Sequence, residues 1–293
     1  GKEQFILRRS CSFYSNHLWC YCRSLFCKFF MSLEINNLFS VKDKVAVVTG
    51  GSRGIGEMLS SGFLANGAKV YITARKEEAL VAKAAELSDK FGVDCIPFAV
   101  DLSNLDGVMK LVDYLTEQEP NGIDFLINNA GAAWGAPYDQ FPESGWDKVV
   151  DLNLKSPFFL TQQLTSLLEK KGTSDNPSRV VNIASIDGLH VPFMETYSYT
   201  ASKSGIIHLT RHLAKTLVSK NIIVNAIAPG PFDSHMLGKA VNFDYSLIAD
   251  SVPRKRIGTP EDIAGLCIYL CSRAGAYTVG ETITCDGGSI KTL

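Results

Sequence analysis

The chain is 293 residues long, 46% hydrophobic and 20% charged, with a formal net charge of -1. Such a chain can bury a sizeable core, as one large α/β domain or two small ones. The near-neutral balance, with no basic patch, argues against nucleic acid or an anionic membrane as partner, and no run approaches the roughly eighteen apolar residues of a membrane-spanning helix.

The first thirty residues do not match the rest. Lys2, Arg8, Arg9, Arg23 and Lys28 face a single acid, Glu3, among aromatics and four cysteines, Cys11, Cys20, Cys22 and Cys27. A basic, acid-poor leader can be a targeting peptide, which would make the location mitochondrial rather than cytoplasmic, but cysteines and aromatics are atypical of one. Cys20 and Cys22 lack the second ligand pair that a metal site needs. Met31-Ser-Leu-Glu resembles a natural start, so a translated upstream region or a processed precursor is favoured. Residues 1–40 are therefore expected to be a leader or non-native extension, poorly ordered. The other cysteines, Cys95, Cys267, Cys271 and Cys285, sit among apolar neighbours and are expected to be buried, reduced thiols.

From Lys42 onward, short β-branched runs alternate with amphipathic helical ones, the pattern of a parallel sheet covered on both faces. Strands are expected at Val45–Thr49, 70–73, 95–100, Phe125–Asn128, 180–184, 222–227 and Thr282–Cys285. Helices are expected at Glu77–Phe91, 104–119, 146–170, 199–217 and Pro260–Cys271. Two helix starts are legible: Ser103 with Asp106 three residues on, and Thr259 before Pro260 with Asp262 at the third helical position. Seven strands without a break in composition favour one doubly wound Rossmann domain over 41–293.

The first strand runs into Thr49-Gly-Gly-Ser-Arg-Gly-Ile-Gly56. Glycines at 50, 54 and 56 allow a tight turn and a close approach of backbone to a pyrophosphate, which then lies at the positive end of the next helix. Position decides here: a glycine-rich loop between strand and helix is the context that dinucleotide binding requires. The second strand ends Ile72-Thr-Ala-Arg75, without the acid that an NAD site places on the ribose 2′-hydroxyl. Arg75 and Arg53 can instead pair with a 2′-phosphate, so the cofactor is expected to be NADP(H).

Tyr199 and Lys203 are four residues apart on an expected helix and project to the same side. A protonated Lys203 there would favour the phenolate and draw the Tyr199 pKa from about 10 toward neutrality, as a general acid/base requires. His208 and His212 share this spacing but lack the rest of a zinc motif, so no metal site is expected. Ser185 has no Gly-x-Ser-x-Gly elbow, which excludes a hydrolase.

Together, Thr49-Gly-x3-Gly-x-Gly56, Asp101-Leu102, Asn128-Asn-Ala-Gly131, Asn153, Ser185, Tyr199-x3-Lys203, Pro229-Gly230 and Asp286-Gly-Gly288 resemble a classical short-chain dehydrogenase/reductase over about residues 41–293. Asn129-Ala-Gly-x-x-Trp134-Gly, Gly145-Trp146 and Pro229-Gly230-Pro-Phe232 further resemble the 3-oxoacyl-thioester reductase branch of rhamnolipid-biosynthesis type. The resemblance implies that Ser185 hydrogen-bonds a substrate carbonyl, that Tyr199 protonates the developing alkoxide, and that Lys203 holds the nicotinamide ribose. It implies that Asn153 anchors a water passing protons toward Lys203. Gly50, Ser52, Arg53, Gly54, Ile55 and Gly56 are implied to contact cofactor. Asp101 and Leu102 are implied to flank adenine, with Asn129, Ala130 and Gly131 on the adenosine ribose side. Pro229, Gly230 and Phe232 are implied to flank the nicotinamide, although Pro231 and Phe232 precede Ser234, where family members place a hydroxyl sooner. A homodimer or homotetramer is implied as well.

Residues 190–195 and 231–256 are expected to wall the substrate pocket, the second as a lid. Trp134, Phe193, Met194, Phe232 and Met236 would make its rim apolar, with His190 and His235 nearby. The expected function is an NADPH-dependent carbonyl reductase, with 3-oxoacyl thioesters as a candidate substrate class. The alternatives are a polyol or secondary-alcohol dehydrogenase, an NADP-binding regulatory protein, and a scaffolding protein; the complete set of Asn153, Ser185, Tyr199 and Lys203 argues against the regulatory protein, and the leader is the only feature that speaks for a scaffold.

Overall fold

A computed structural model describes residues 33–234 and 244–292 of the chain. The readings of residues 1–30, His235 and Met236 lie outside the described residues. The chain divides into two units, Gly1–Ser40 and Val41–Leu293. The described part of the first contains one helical turn, Ile35–Leu38.

In the second unit β1 (Val45–Thr49), β2 (Lys69–Ala74), β3 (Cys95–Ala99), β4 (Phe125–Asn128), β5 (Ser178–Ile183), β6 (Ile222–Pro229) and β7 (Thr282–Cys285) form one sheet. All six pairings are parallel, and the strand order is β3-β2-β1-β4-β5-β6-β7. Among the described residues its helices are α1 (Gly54–Ala65), α2 (Glu77–Phe91), α3 (Leu105–Gln118), α4 (Glu143–Val150), α5 (Ser156–Lys171), α6 (Tyr197–Leu217), α7 (Ser246–Ser251) and α8 (Pro260–Cys271).

Side chains of a strand alternate between faces, so each strand feeds two cores. Val48 and Ile72 pack with Leu59 and Phe63 of α1, Leu80 of α2 and Ile263 of α8. Val47 and Tyr71, one residue away in each strand, pack with Leu111 of α3, Leu164 of α5 and Ala214 of α6 on the other face. Full burial of each such side chain contributes about 1.5–3 kcal/mol. Pro97 falls in β3, the edge strand, where a missing N–H leaves no neighbour unpaired.

Strand boundaries follow pairing rather than propensity. Lys69 joins β2 opposite Val45, Ser178 joins β5 opposite Ile222, and Ala228 and Pro229 extend β6 opposite Thr284 and Cys285. Ser103 does not cap α3. Asn104 does, its Oδ1 accepting from Gly107 N at 2.9 Å, while the Ser103 N–H turns back to Asp101 Oδ1 at 3.0 Å. The cap at Thr259 forms as expected, with the Thr259 N–H donating to Asp262 Oδ2 at 2.8 Å. The single helix expected over 146–170 is instead α4 and α5 joined by a π-helical turn, Asp151–Lys155. Cys95, Cys267 and Cys271 are buried free thiols; Cys285 is only half-buried.

Candidate active site

Five of the residues singled out in the sequence, Thr49, Arg75, Asn129, Ser185 and Pro229, stand at the carboxyl ends of strands on either side of the β1–β4 pairing, where strand order reverses. Open parallel sheets bind ligands at such a point because the loops on either side of it diverge. Thr49 ends β1, Arg75 follows β2, Asn129 follows β4, Ser185 follows β5 and Pro229 ends β6.

Main chain builds the cradle beside β1. Gly50 has φ +66°, a left-handed conformation that favours glycine. A side chain at Gly56 would overlap the carbonyl oxygen of Gly50, so this crossing of loop and helix admits no Cβ. Gly51, absent from the sequence reading, is equally confined: a Cβ would come within 2.6 Å of the Ile72 side chain. The opposite wall locks the loop. Thr49 Oγ1 accepts from Asn129 N and Ala130 N, both at 2.9 Å, and Asn129 Nδ2 donates to Thr49 O at 2.8 Å and Gly50 O at 3.2 Å. The Asn129 amide thus braces the cradle.

Arg53, at the N-cap of α1, and Arg75 are both exposed, and neither forms an ion pair with another described residue. Asp101 lies in the field of Arg75. Burial pushes its carboxyl up, but the bonds from Ser103 and the Arg75 charge outweigh this and hold it below its usual range. A glycine cradle that admits no Cβ at Gly51 or Gly56, flanked by two guanidinium groups that form no ion pair with a described carboxylate, fits a phosphorylated dinucleotide.

Other expected contacts fall differently. The Leu102 side chain is buried in the second core. Phe232 is 2% exposed, packed in the first core and against Gly258, so its ring is not part of the apolar rim. Gly230 N donates to Cys285 O at 2.9 Å, and the Asp286 carboxylate accepts from Gly288 N and Ile290 N, which ties the Pro229-Gly230 turn to the segment after β7. Trp134 packs on Gly145, with the Lys148 ammonium 5.0 Å from its ring. Phe193 and Met194 are exposed, as expected for the rim.

Tyr199 and Lys203 lie on α6 against the end of β5. Lys203 is 5% exposed; its Nζ donates to Ile183 O at 2.7 Å and stands 5.5 Å from the Tyr199 ring centroid. The expected drop of the Tyr199 pKa toward neutrality is not seen. Burial pushes the phenol up to about 12, against a hydrogen bond with Ser185 that lowers it, and the Asp187 charge adds to the rise. The ammonium of Lys203 lies over the ring and bonds a carbonyl. Burial also brings Lys203 itself down to about 8.

Asn153 sits in the π-helical turn and is 2% exposed. Its Oδ1 accepts from Ala132 N at 2.8 Å, and its Nδ2 donates to Ala132 O at 2.9 Å and Ser202 Oγ at 3.1 Å. The side chain therefore clasps the loop after β4 to α6. Beneath it runs a buried polar ladder: Asn128 Nδ2 donates to Thr161 Oγ1 at 3.2 Å and Asn182 Oδ1 at 2.9 Å, and Asn182 Nδ2 to Thr210 Oγ1 at 2.9 Å. Asn182 was legible as the one polar residue within the apolar run of β5. His208 and His212 face solvent, their ring centroids 5.4 Å apart.

The family profile described as Enoyl-(Acyl carrier protein) reductase matches residues 50–289. The rhamnolipids biosynthesis 3-oxoacyl-[acyl-carrier-protein] reductase of Pseudomonas aeruginosa is 44% identical over 252 residues, 85% of this chain and 97% of that one. The 2-dehydro-3-deoxy-D-gluconate 5-dehydrogenase of Escherichia coli is 35% identical over 261 residues, 87% of this chain and 98% of that one. Among solved structures, the Pseudomonas aeruginosa RhlG/NADP active-site complex superposes with a TM-score of 0.82 at 43% identity, covering 86% of this chain and 98% of that one.

Proposed function

The chain belongs to the short-chain dehydrogenase/reductase family, and from that premise we propose that it is an NADPH-dependent carbonyl reductase whose favoured substrate class is a 3-oxoacyl thioester. The observation that carries this reading is the convergence of Ser185, Tyr199 and buried Lys203 beside a glycine cradle whose flanking arginines form no ion pair with another described residue. The rhamnolipid-pathway relative and the NADP-bound structure agree with both the cofactor and the substrate class.

NADPH would supply the hydride. Gly50, Ser52, Gly54, Ile55 and Gly56 would cradle its pyrophosphate, Arg53 and Arg75 its 2′-phosphate, and Asp101, Ala130 and Gly131 its adenosine side. The hydroxyls of Ser185 and Tyr199 hold the substrate carbonyl oxygen, and Tyr199 gives it a proton as negative charge develops there. Burial suits this direction: a phenol pushed up to about 12 stays protonated at neutral pH and donates readily to an alkoxide, a far stronger base. Lys203, as an ammonium, then stabilises the phenolate that this step leaves on Tyr199 and is the proton donor from which Tyr199 is resupplied. Both amide hydrogens of Asn153 are already donated, while its Oδ1 accepts one bond and keeps a second lone pair with which it could hold a water.

An apolar groove runs along the outer face of α5 and α6, lined by Leu154, Phe158, Phe159, Gly205 and Leu209. A second copy of the chain covering it would give the homodimer implied by the resemblance. Cys95, Cys267 and Cys271, buried as free thiols, agree with a reducing compartment such as the cytoplasm. The test of the function is NADPH oxidation against 3-oxoacyl thioesters, diketones and ketoses, with Tyr199→Phe alongside. Turnover of thioesters, abolished in Tyr199→Phe while NADPH still binds, is the expected result. Tight NADPH binding without turnover of any ketone would refute the reductase.

A further inference from the structure

We propose that Asp187 is a positioning residue of this reduction: its carboxylate, on the turn that follows Ser185, keeps Lys203 in the charged form. This rests on the reductase reading, since the proton on Lys203 matters only if Tyr199 must be resupplied.

Lys203 has a problem that its own helix does not solve. It is buried, its one hydrogen-bond acceptor is the neutral carbonyl of Ile183, and it forms no ion pair with another described residue. An ammonium removed from water without a counter-charge tends to give up its proton. The turn Ile186–Gly188 supplies that charge, and it is fastened against α6. Asp187 N donates to Ser185 Oγ at 3.2 Å, and Ser204 Oγ on α6 donates to Gly188 O at 2.9 Å. Gly188 lies so close to α6 that a Cβ would come within 2.6 Å of the Lys203 carbonyl carbon. The main chain that carries Asp187 is therefore held against the turn of α6 that carries Lys203.

Among the described residues Asp187 is the one whose charge acts on both Tyr199 and Lys203, and on each it favours the protonated form. Burial pushes Asp187 itself up, while His190 and Lys203 pull it down. The titratable groups facing it are His190, on its own segment, and Tyr199 and Lys203 from α6. His190 Nε2 is 3.4 Å from Asp187 Oδ1 and its side chain is 40% exposed.

The experiment follows the side-chain carbon resonance of Lys203 against pH in protein labelled at lysine, assigned by its loss in Lys203→Arg, alongside the pH profile of ketone reduction. In Asp187→Asn the Lys203 midpoint is expected to fall by about one pH unit, the alkaline limb of the rate falling with it. Asp187→Glu is expected to restore part of both, and His190→Gln to leave the midpoint in place. A Lys203 midpoint unmoved in Asp187→Asn, or one that falls while the alkaline limb stays, would overturn the proposal. So would a shift in His190→Gln as large as that in Asp187→Asn. Absence of ketone turnover in the unmutated protein would instead sink the reductase reading, and the Lys203 titration would still show whether Asp187 holds its proton.

Discussion

Replacing Arg75 by alanine tests the cofactor assignment most directly. Arg75 is exposed at the end of β2 and forms no ion pair with another described residue, so its removal leaves no buried group unpaired. Asp101 loses a favourable neighbour but keeps its bond from Ser103 N, so the turn after β3 stays in place. The expected loss is then confined to the bond with a 2′-phosphate. A hydrogen bond to a charged group contributes about 1.5–3 kcal/mol, and solvent exposure moves this toward about 1–2 kcal/mol. That corresponds to a rise in the Kd for NADPH of about 5- to 30-fold. NADH has no phosphate at that position and should bind Arg75→Ala about as it binds the unmutated protein. Titration of nicotinamide fluorescence with each cofactor measures both constants. Equal weakening of NADPH and NADH would refute the reasoning, because it would place Arg75 on a part of the cofactor common to both.

Three further outcomes follow from the geometry. Gly56→Ala forces a methyl group onto the Gly50 carbonyl; it should lower affinity for NADPH at least 10-fold, the equivalent of about 1.4 kcal/mol, while the circular dichroism stays native, and unchanged affinity would show that the cradle is not the binding element. Asn182→Val removes a partner from both Asn128 and Thr210 in the buried ladder, so the urea midpoint should fall by an amount equivalent to about 2 kcal/mol, and an unmoved midpoint would contradict the ladder's role. Asp262→Ala removes the acceptor for the Thr259 N–H, one half of the capping box of α8, and the pairing with Arg256, which holds the Asp262 carboxyl far below its usual range. Because the folded pKa is depressed, this contribution is fully present above about pH 4 and is lost as pH falls through the folded value. The variant should therefore be less stable than the parent by about 1 kcal/mol at neutral pH, with the gap closing in acid; a gap independent of pH would exclude the ionised carboxylate as its cause.

The sequence by itself determined what depends on neighbours along the chain. Alternation of short apolar runs with helical ones specified seven parallel strands, since one face of each run has to be buried on either side of a sheet. Strand, glycine-rich turn and helix in succession announced the cradle, the missing acid before Arg75 pointed to a phosphorylated cofactor, and four-residue spacing put Tyr199 and Lys203 on one helical face. The tertiary structure decided what depends on groups distant in the chain. The pKa of Tyr199 rises because burial sums over several elements, a quantity that local spacing does not contain. Phe232 and Leu102 turn inward because Gly258 and the second core receive them. Asn104 rather than Ser103 caps α3 because Asp101 claims the Ser103 N–H. Asn153 becomes a clasp only where a π-helical turn aims it at Ala132 and Ser202. Asp187 gains its place beside Lys203 because the turn after β5 folds back on α6, a contact between residues sixteen apart that no periodicity records.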